Sequence, residues 1–489
     1  MEIKALGLPL RRHGSFLATA AACLLVFTWF VTDGTYEFFR PEMFGTFYEA
    51  QARSLLHGHW DVPRSSLSDE AFIYQGKSYG YFGPTPALMR LPLLLTSLGE
   101  GQFSKLLLTL DFVLCLLGAY GLLCRAVRWF GSERPSPAAV TMLTANVGLG
   151  STLFFLGSRA YVYHEAILCG ATFALLAGYF TLVYAQTARL SAFFAALISG
   201  VLSIHSRPTS GLFALTFAGT VALLQAIRAM PECRLRHLGA AALCGVGAAS
   251  FGLVSYLKFH TTEGMPLQYN VQYTPARLER MGGKPLSTHN LLFNLRGYFF
   301  NRGVEFRPSF PFVFYLGHDA ANYQGYLNDV HYVAQPTEVL KSIRMDMTEP
   351  MAGPLSAMTG LSLLAMLGLL GAGLAAPAAR GTILALALSA LPFTTLLLLA
   401  AVVSHRYTAD FCPLLIIAAA FGVSFLFARP GRVVWKIFLT VVTGWSIVVT
   451  LALTLHFQGR EVWGVPDFVH QRYEAIRRRV DGAIASPTR

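Results

Sequence analysis

Acidic residues near the start of the chain have the type and spacing that general-base chemistry requires. Residues 41–57 favour a helix with a proline in its first turn, and Glu42 and Glu49, seven residues apart, would lie on one face of it. A carboxylate held on such a helix at a membrane surface could take a proton from a hydroxyl or an amine. Glu49 could instead form a surface ion pair with Arg53, four residues further on.

A second group of charged residues stands at short loops between apolar segments. Glu165 opens a long apolar helix, where the helix dipole favours a negative charge, and it could also face the first helix across a shared cavity. Arg207 and Arg406 could bind a phosphate or extend to lipid headgroups. Arg90 follows a Gly- and Pro-rich turn and could stand at the mouth of a groove for a lipid chain, unless that turn is only an aromatic interfacial anchor.

The composition indicates what must position these residues. Of 489 residues, 54% are hydrophobic and only 13% are charged, whereas a soluble chain carries about 25% charged residues. The apolar residues form runs of about 20, long enough to cross a bilayer. This pattern predicts a multi-pass membrane protein and excludes a soluble enzyme, a disordered chain and a secreted disulfide scaffold. We attribute the net charge of +12 to basic residues that flank membrane spans rather than to nucleic-acid binding. The seven cysteines have no metal-ligand spacing, so no zinc site is predicted.

The predicted fold is an all-α polytopic bundle of about eleven transmembrane helices. They are expected at about 15–32, 104–127, 137–157, 166–186, 191–206, 208–228, 238–258, 352–375, 381–403, 411–428 and 434–456. The segment 84–99 is apolar but broken by prolines, so we expect it to be interfacial or re-entrant. Residues 1–456 are predicted to form one transmembrane domain, and 457–489 an amphipathic tail on the membrane surface.

The distribution of Lys and Arg predicts the orientation. Basic residues are concentrated in one set of short loops, which places the N-terminus in the cytoplasm. The long loops 33–103 and 259–351 and the C-terminal tail then lie on the external side. Arg outnumbers Lys 31 to 7, a bias typical of a GC-rich bacterial genome. The predicted location is therefore a bacterial cytoplasmic (inner) membrane, with the functional residues on its periplasmic or external side.

Several stretches, taken in their order along the chain, resemble the GT-C superfamily of membrane glycosyltransferases. These enzymes use polyprenyl-phosphate sugars and include protein O-mannosyltransferases, oligosaccharyltransferases and the aminoarabinose transferase of lipid A. The resemblance lies in residues 47–58, 81–88, 158–165 and 206–209, and in Arg406-Tyr407 with Pro413. The order of a long first loop, short second and third loops and a long loop after the seventh span is also similar to that superfamily.

One departure concerns the first loop. The family usually has an Asp, or Asp-Glu, just before the Tyr of the first-loop helix, whereas Phe44 and Gly45 occupy those positions here. Glu42 lies slightly upstream and Glu49 directly follows Tyr48. Either one of these two carboxylates has taken the role, or the chemistry is altered or lost.

The resemblance implies an inverting transfer of a sugar from a polyprenyl-phosphate donor to a protein, glycan or lipid acceptor. It implies catalytic roles for Glu42, Glu49 and Glu165, with one first-loop carboxylate as the general base. The residues that would bind the substrates are Tyr48, Arg90, Arg159, His164, Arg207, His405, Arg406 and Tyr407. No cofactor is firmly implied, although a divalent cation is used by some members of the family.

Two other functions remain open from the sequence. A transporter or flippase for a lipid or an anionic solute would need charged residues deep in its spans, and Asp111 is the only clear deep acid. We expect Asp111 to make a structural hydrogen bond rather than to relay protons. The third function is that of a catalytically inactive scaffold for cell-envelope assembly, which the departure in the first loop would allow.

Overall fold

The computed structural model describes residues 4–40, 42, 44–96, 102–316, 343–428, 431–459 and 465–485, with the side chains of 4–12, 280 and 301 left out. Part of each predicted long loop (97–101 and 317–342) and part of the predicted tail (460–464 and 486–489) therefore lie outside the described residues.

Helices dominate the described chain. In chain order they are α1 Lys4–Val31, α2 Phe47–Leu56, α3 Thr85–Leu94, α4 Ser104–Ala126, α5 Pro137–Gly148, α6 Thr152–Phe155, α7 Val162–Thr187, α8 Leu190–Ile204, α9 Pro208–Arg228, α10 Pro231–Phe259, α11 Pro275–Met281, α12 Leu291–Arg296, α13 Pro354–Ala357, α14 Thr359–Met366, α15 Gly373–Ala375, α16 Arg380–Leu388, α17 Ala390–Leu399, α18 Cys412–Phe427, α19 Val433–Gly459 and α20 Asp467–Ala485. The strands are β1 Phe72–Tyr74, β2 Lys77–Tyr79, β3 Val304–Phe306, β4 Val313–Tyr315, β5 Met347–Thr348 and β6 Val402–Val403. The first two pairs are antiparallel and β5–β6 is parallel.

The prediction of an all-α polytopic membrane protein is confirmed in its general form. Among the described residues, eight helices are long and apolar enough to cross a membrane, or nine if the pair α5–α6, bent by 44°, counts as one span. Two further apolar helices, at Leu190–Ile204 and Thr359–Ala375, are shorter. An apolar helix therefore lies in each predicted segment, while the count of eleven spans stays a prediction.

The first loop differs from the predicted helix over 41–57. Phe44 adopts a left-handed backbone conformation, with φ at 54°, and α2 begins only at Phe47. A bulky residue at positive φ interrupts helical hydrogen bonding. Glu42 therefore lies outside the helix, and the prediction that it shares one helical face with Glu49 is wrong.

Helix α3 brings the Pro-rich segment into the protein. It has ten residues, about 15 Å of helix at 1.5 Å per residue, which is half of the hydrocarbon thickness. At its start, the backbone N–H of Thr85 donates to the carbonyl of His205, and the Thr85 hydroxyl donates to Leu202. Helix α3 is thereby fixed against the end of α8 and packs on α2 and α7.

Helices α4, α7, α9 and α18 form the centre of the bundle. Close approach of α14 and its π-helical continuation, Leu367–Ala372, to α18 depends on two glycines. A Cβ added to Gly422 would overlap the carbonyl oxygen of Leu364, and one added to Gly368 would overlap that of Ala418. Small residues at helix interfaces are a general device of membrane proteins, because they allow backbones to pack directly.

Replacing Gly422 by Ala should therefore lower the thermal unfolding midpoint, because the backbones must separate. We expect a destabilisation of about 1–3 kcal/mol, the usual effect of overpacking. Gly444→Ala is the matched control, since a Cβ at Gly444 in α19 meets no atom within 4 Å. The measurement is thermal unfolding of the purified protein in detergent. Equal midpoints for the two variants would contradict this packing.

Candidate active site

The buried Arg90 joins two other predicted site residues, Glu49 and Glu165. The Nε of Arg90 donates to Glu49 Oε1 at 2.8 Å. Its Nη1 and Nη2 donate to the two oxygens of Glu165 at 2.5 and 3.0 Å, and Nη2 also donates to Ser104 at 3.0 Å. Arg90 is 0% exposed. Because every nitrogen of the guanidinium is engaged, Arg90 is placed to join α2, α3, α4 and α7 rather than to stand at the mouth of a groove.

The same contacts show how Glu49 and Glu165 are placed relative to the alternatives that the sequence allowed. Glu49 is 5% exposed, so a solvent-exposed pair with Arg53 on the helix surface does not describe it. Its Oε1 also accepts from the backbone N–H of Phe103, at the start of α4, at 2.9 Å. Glu165 is 1% exposed and faces the first-loop helix through Arg90. The structure thus brings Glu49 and Glu165 together, as the sequence allowed, with a cation between them.

Glu42 has a separate cationic partner. The Nζ of Lys105 lies 3.3 Å from Glu42 Oε2 and 3.1 Å from Asp33 Oδ2, so two carboxylates share one ammonium group. The Glu42 side chain is only 6% exposed. Burial raises the pKa of Glu42 to about 7, the attraction of Lys105 opposes this increase, and the charge of Asp33 adds to it. A carboxyl group with this pKa exchanges protons near neutral pH, as a general base must.

Arg159 connects Glu42 to a cluster of arginines and tyrosines. Its guanidinium stacks on Tyr161 at 4.0 Å from the ring centre. Burial lowers the pKa of Arg159. The negative charge of Glu42 raises this pKa, and the positive charge of Arg406 lowers it. Arg406 in turn lies over the rings of Tyr163 and Tyr407, at 5.3 and 5.2 Å. The predicted residues Arg159, Arg406 and Tyr407 therefore belong to one neighbourhood with Glu42.

Carboxylates contact two arginines of this neighbourhood, Arg207 through two nitrogens and Arg406 through one. Arg207 donates from Nη2 to Asp410 Oδ2 at 2.6 Å and from Nε to Oδ1 at 3.0 Å. The hydroxyl of Thr209 donates to the same carboxylate at 2.8 Å. Arg406 donates from Nη1 to Glu349 at 2.6 Å. A phosphate at Arg207 would have to compete with a bidentate ion pair, whereas Arg406 is held by one nitrogen.

The remaining predicted residues pack inside the protein. His164 is 1% exposed, and its Nδ1 lies 3.1 Å from the carbonyl oxygens of both Leu156 and Arg159. The Nδ1 of His405 accepts from the N–H of Ala352 at 3.4 Å. The hydroxyl of Tyr48 donates to Val162 at 3.4 Å. These contacts hold the loops that carry Arg159 and Arg406. The two histidines and Tyr48 are therefore placed to stabilise the backbone of these loops.

Sequence reasoning did not single out Lys105, Glu70, Glu349 or Asp410. The side-chain amide of Gln272 donates to Glu70 at 3.3 Å, and burial raises the pKa of Glu70. Lys105 could have been noticed, because it is a lysine within one turn of the start of a long apolar helix, where a cation opposes the helix dipole. The partners of Glu349 and Asp410 lie 57 and 203 residues away and leave no local signal.

Asp111 lies in α4, below this site. The hydroxyl of Thr172 donates to its main-chain carbonyl at 3.0 Å, while neither carboxyl oxygen has a hydrogen-bond partner within the described parts of the chain. The expected hydrogen bond is thus made by the backbone and not by the acid itself.

Among the described residues, no group of three or more His, Cys, Asp or Glu side chains is arranged to hold a metal ion.

Replacing Arg90 by Gln should destabilise the protein strongly, because Glu49 and Glu165 would remain buried without their cation. Removing one partner of a buried ion pair costs about 3–5 kcal/mol. Arg90→Lys keeps the charge but not the fork, so we expect an intermediate midpoint. Arg64→Gln, at an exposed arginine of the same loop, is the control. If Arg90→Gln unfolded at the wild-type temperature, Arg90 would not be the structural link described here.

Neither family models nor curated proteins show a match to this sequence. Among solved structures, the chain is similar to the oligosaccharyltransferase of Archaeoglobus fulgidus in the apo form, with 11% identity and a TM-score of 0.44 over 94% of this chain and 59% of that one. It is also similar to the oligosaccharyltransferase AglB from Archaeoglobus fulgidus in complex with an inhibitory peptide and a dolichol-phosphate, with 12% identity and a TM-score of 0.47 over 95% and 60%. The chain therefore spans about 60% of the length of these proteins. Both TM-scores are below 0.5, so the likeness is distant.

Proposed function

We propose that the chain is a membrane glycosyltransferase that moves a sugar from a polyprenyl-phosphate donor to an acceptor, with inversion at the anomeric carbon. The observation that carries the proposal is the position of Glu42. Its carboxyl group is 6% exposed, lies 3.3 Å from Lys105 and has a pKa raised to about 7, beside an arginine cluster suited to a phosphate.

Glu42 would act as the general base. In its charged form it takes the proton from an acceptor hydroxyl or amine, and the acceptor atom then forms a bond to the anomeric carbon. The bond between that carbon and the phosphate oxygen breaks, and the electron pair leaves with the polyprenyl phosphate. Since the leaving group is already an anion, no strong general acid is required.

Arg159 and Arg406 are the proposed ligands of the donor phosphate. Both are mostly buried, at 5% and 9% exposure, and both stack on tyrosines, which limits their motion. Guanidinium groups bind phosphate oxygens with two parallel hydrogen bonds, and partial burial strengthens the interaction. The charge that develops on the departing phosphate would thus be stabilised by groups already in place.

Glu49, Arg90 and Glu165 are proposed as positioning residues for this reaction. Their ion pairs hold α2 against α4 and α7, and the segment with Glu42 directly precedes α2. Arg207, paired with Asp410, would similarly fix the segment that carries Arg406 and Tyr407. The histidines His164 and His405 would support the same loops.

The arrangement in the cell is part of the proposal. Residues 1–456 would form one transmembrane domain in a bacterial inner membrane, with the N-terminus in the cytoplasm, the loops 33–103 and 259–351 on the external side, and 457–489 as an external amphipathic tail. The reaction would then take place on the outer face, with a lipid-linked sugar as one partner and a glycan, lipid or protein acceptor as the other.

Glu42→Gln should abolish transfer, because the amide cannot take up the proton. We expect a loss of at least about 100-fold in the rate, the lower range for general-base catalysis. The measurement is sugar transfer from a radiolabelled donor in lipid nanodiscs. Glu37→Gln is the matched control, since the Glu37 side chain is 63% exposed in the same loop. Full activity of Glu42→Gln would refute this base. Movement of lipid or solute across the bilayer without any transfer would favour a transporter instead.

The pH profile of the rate should have an acid limb near pH 7, because Glu42 is active only when deprotonated and its pKa is raised to about 7. Asp33→Asn removes a negative charge that raises this pKa, so the limb should move to lower pH. Asparagine tolerates the left-handed backbone of position 33, where φ is 56°. A limb that stays in place, or moves to higher pH, would contradict the proposed coupling.

A further inference from the structure

The C-terminal helix α20 packs against the rest of the protein with one of its sides. Val469 and Tyr473, one helical turn apart, are 3% and 5% exposed, whereas Gln471 and Arg478 on the other side are exposed. A Cβ added to Gly459, at the end of α19, would overlap the ring of Tyr473. Helix α20 therefore lies directly on the end of α19. None of the reaction steps proposed above uses this helix.

Two residues of α20 contact the segment that leads out of α1. The guanidinium of Arg472 lies over the ring of Trp29, in the last turn of α1, at 4.8 Å from the ring centre. Its Nη1 lies against the turn that follows, since a Cβ added to Gly34 would be 2.6 Å from this nitrogen. The guanidinium of Arg40 lies over the ring of Phe468, also at 4.8 Å. A cation over an aromatic face is attracted by the electrons of the ring, so α20 holds this segment at both of its ends.

The segment held in this way carries the carboxylates around the proposed base. Asp33 directly precedes Gly34, and Glu42 follows Arg40 by two residues. The Nζ of Lys105 lies 3.1 Å from Asp33 and 3.3 Å from Glu42. The position of both carboxylates relative to this ammonium group therefore depends on where the segment lies.

Helix α20 also contacts the second long loop. The backbone N–H of Phe310 donates to Asp481 Oδ1 at 2.8 Å. The hydroxyl of Tyr473 donates to the carbonyl of Phe310 at 3.4 Å, and the two rings lie 5.6 Å apart. The same loop carries Glu349, which accepts from Arg406. One helix thus connects the two long loops that supply charged groups to the site.

We propose that α20 is a positioning element for the transfer, which fixes the first loop so that Glu42 stays buried beside Lys105. Phe468 and Arg472 are the positioning residues. The docking of α20 on the first loop concerns the folded chain alone, whereas the positioning role rests on the proposed function.

The charged groups that face Glu42 determine what release of the first loop would do. Lys105 lies on α4, Asp33 follows α1, and Arg159 precedes α7. Lys105 and Arg159 lower the pKa of Glu42, Asp33 raises it, and burial raises it most, to about 7. Release would let water reach the carboxyl group and would therefore lower this pKa. The acid limb of the rate should then move to lower pH.

Two measurements on the full chain in nanodiscs test the proposal. Hydrogen exchange of the amides in residues 33–40 reports the docking without any reaction. The pH profile of sugar transfer from a radiolabelled donor reports the positioning. The variants are Phe468→Ala, which keeps the net charge, Arg472→Gln, and the two combined. Arg478→Gln is the matched control, because it removes the same charge from the exposed side of α20.

We expect the amides of 33–40 to exchange at least about 5-fold faster in the combined variant, as the loss of two cation–π contacts implies. The amides of α7 should exchange as in the wild type, which separates local release from general destabilisation. Arg478→Gln should match the wild type throughout. Unchanged exchange at 33–40, or equal acceleration in α7, would overturn the docking.

For the reaction, we expect kcat to fall at least about 3-fold in the combined variant, since misplacement of a reacting group slows the chemical step. The KM for the donor should stay the same, because the proposed phosphate ligands lie outside the released segment. The acid limb should move to lower pH in Phe468→Ala as well. Faster exchange at 33–40 with an unchanged kcat and pH profile would overturn the positioning role. Absence of transfer by the wild type would refute the proposed function, while the exchange data would still decide the docking.

Discussion

The placement of a single guanidinium group inside the protein organises the functional region. Arg90 has no exposed surface, yet it contacts a carboxylate from α2 and one from α7. A charge in such surroundings is tolerated only when it is paired and fully hydrogen-bonded. The four helices that meet at Arg90 must therefore keep their relative positions, and the first loop becomes a fixed wall of the site.

The second constraint is that the buried carboxylates outnumber the cations that neutralise them. Arg90 serves two carboxylates and Lys105 serves two more, Asp33 and Glu42. The start of α4 faces them, since the backbone of Phe103 donates to Glu49, and the positive end of a helix stabilises carboxylates. Glu42 remains the carboxylate whose pKa is raised to about 7, because burial acts on it and it shares its ammonium group. The same charges that fix the loop thus set the proton affinity of the proposed base.

The sequence predicted the helices better than the site. Hydropathy is a local property, so each apolar run could be recognised from its own residues, and an apolar helix lies in every predicted segment. Phe44 shows the limit of this reasoning, because its left-handed backbone separates Glu42 from α2 and no composition or spacing reveals it. The carboxylate partners of Arg90 lie 41 and 75 residues away, and that of Arg207 lies 203 residues away. The sequence could therefore indicate that these arginines are unusual, but not which carboxylates they pair with. Arg90 and Arg207 were therefore predicted to bind the substrates, although carboxylates already engage them.

The proposed reaction transfers a sugar from a lipid phosphate with inversion. The most direct measurement incubates the wild-type protein in nanodiscs with a panel of polyprenyl-phosphate sugars and a panel of glycan, lipid and peptide acceptors. The product is then examined by NMR for the configuration of its new anomeric bond. We expect one donor to be consumed, with polyprenyl phosphate released in equal amount and an anomeric configuration in the product opposite to that of the donor. Retention of configuration, or no consumption of any donor by the folded protein, would contradict it.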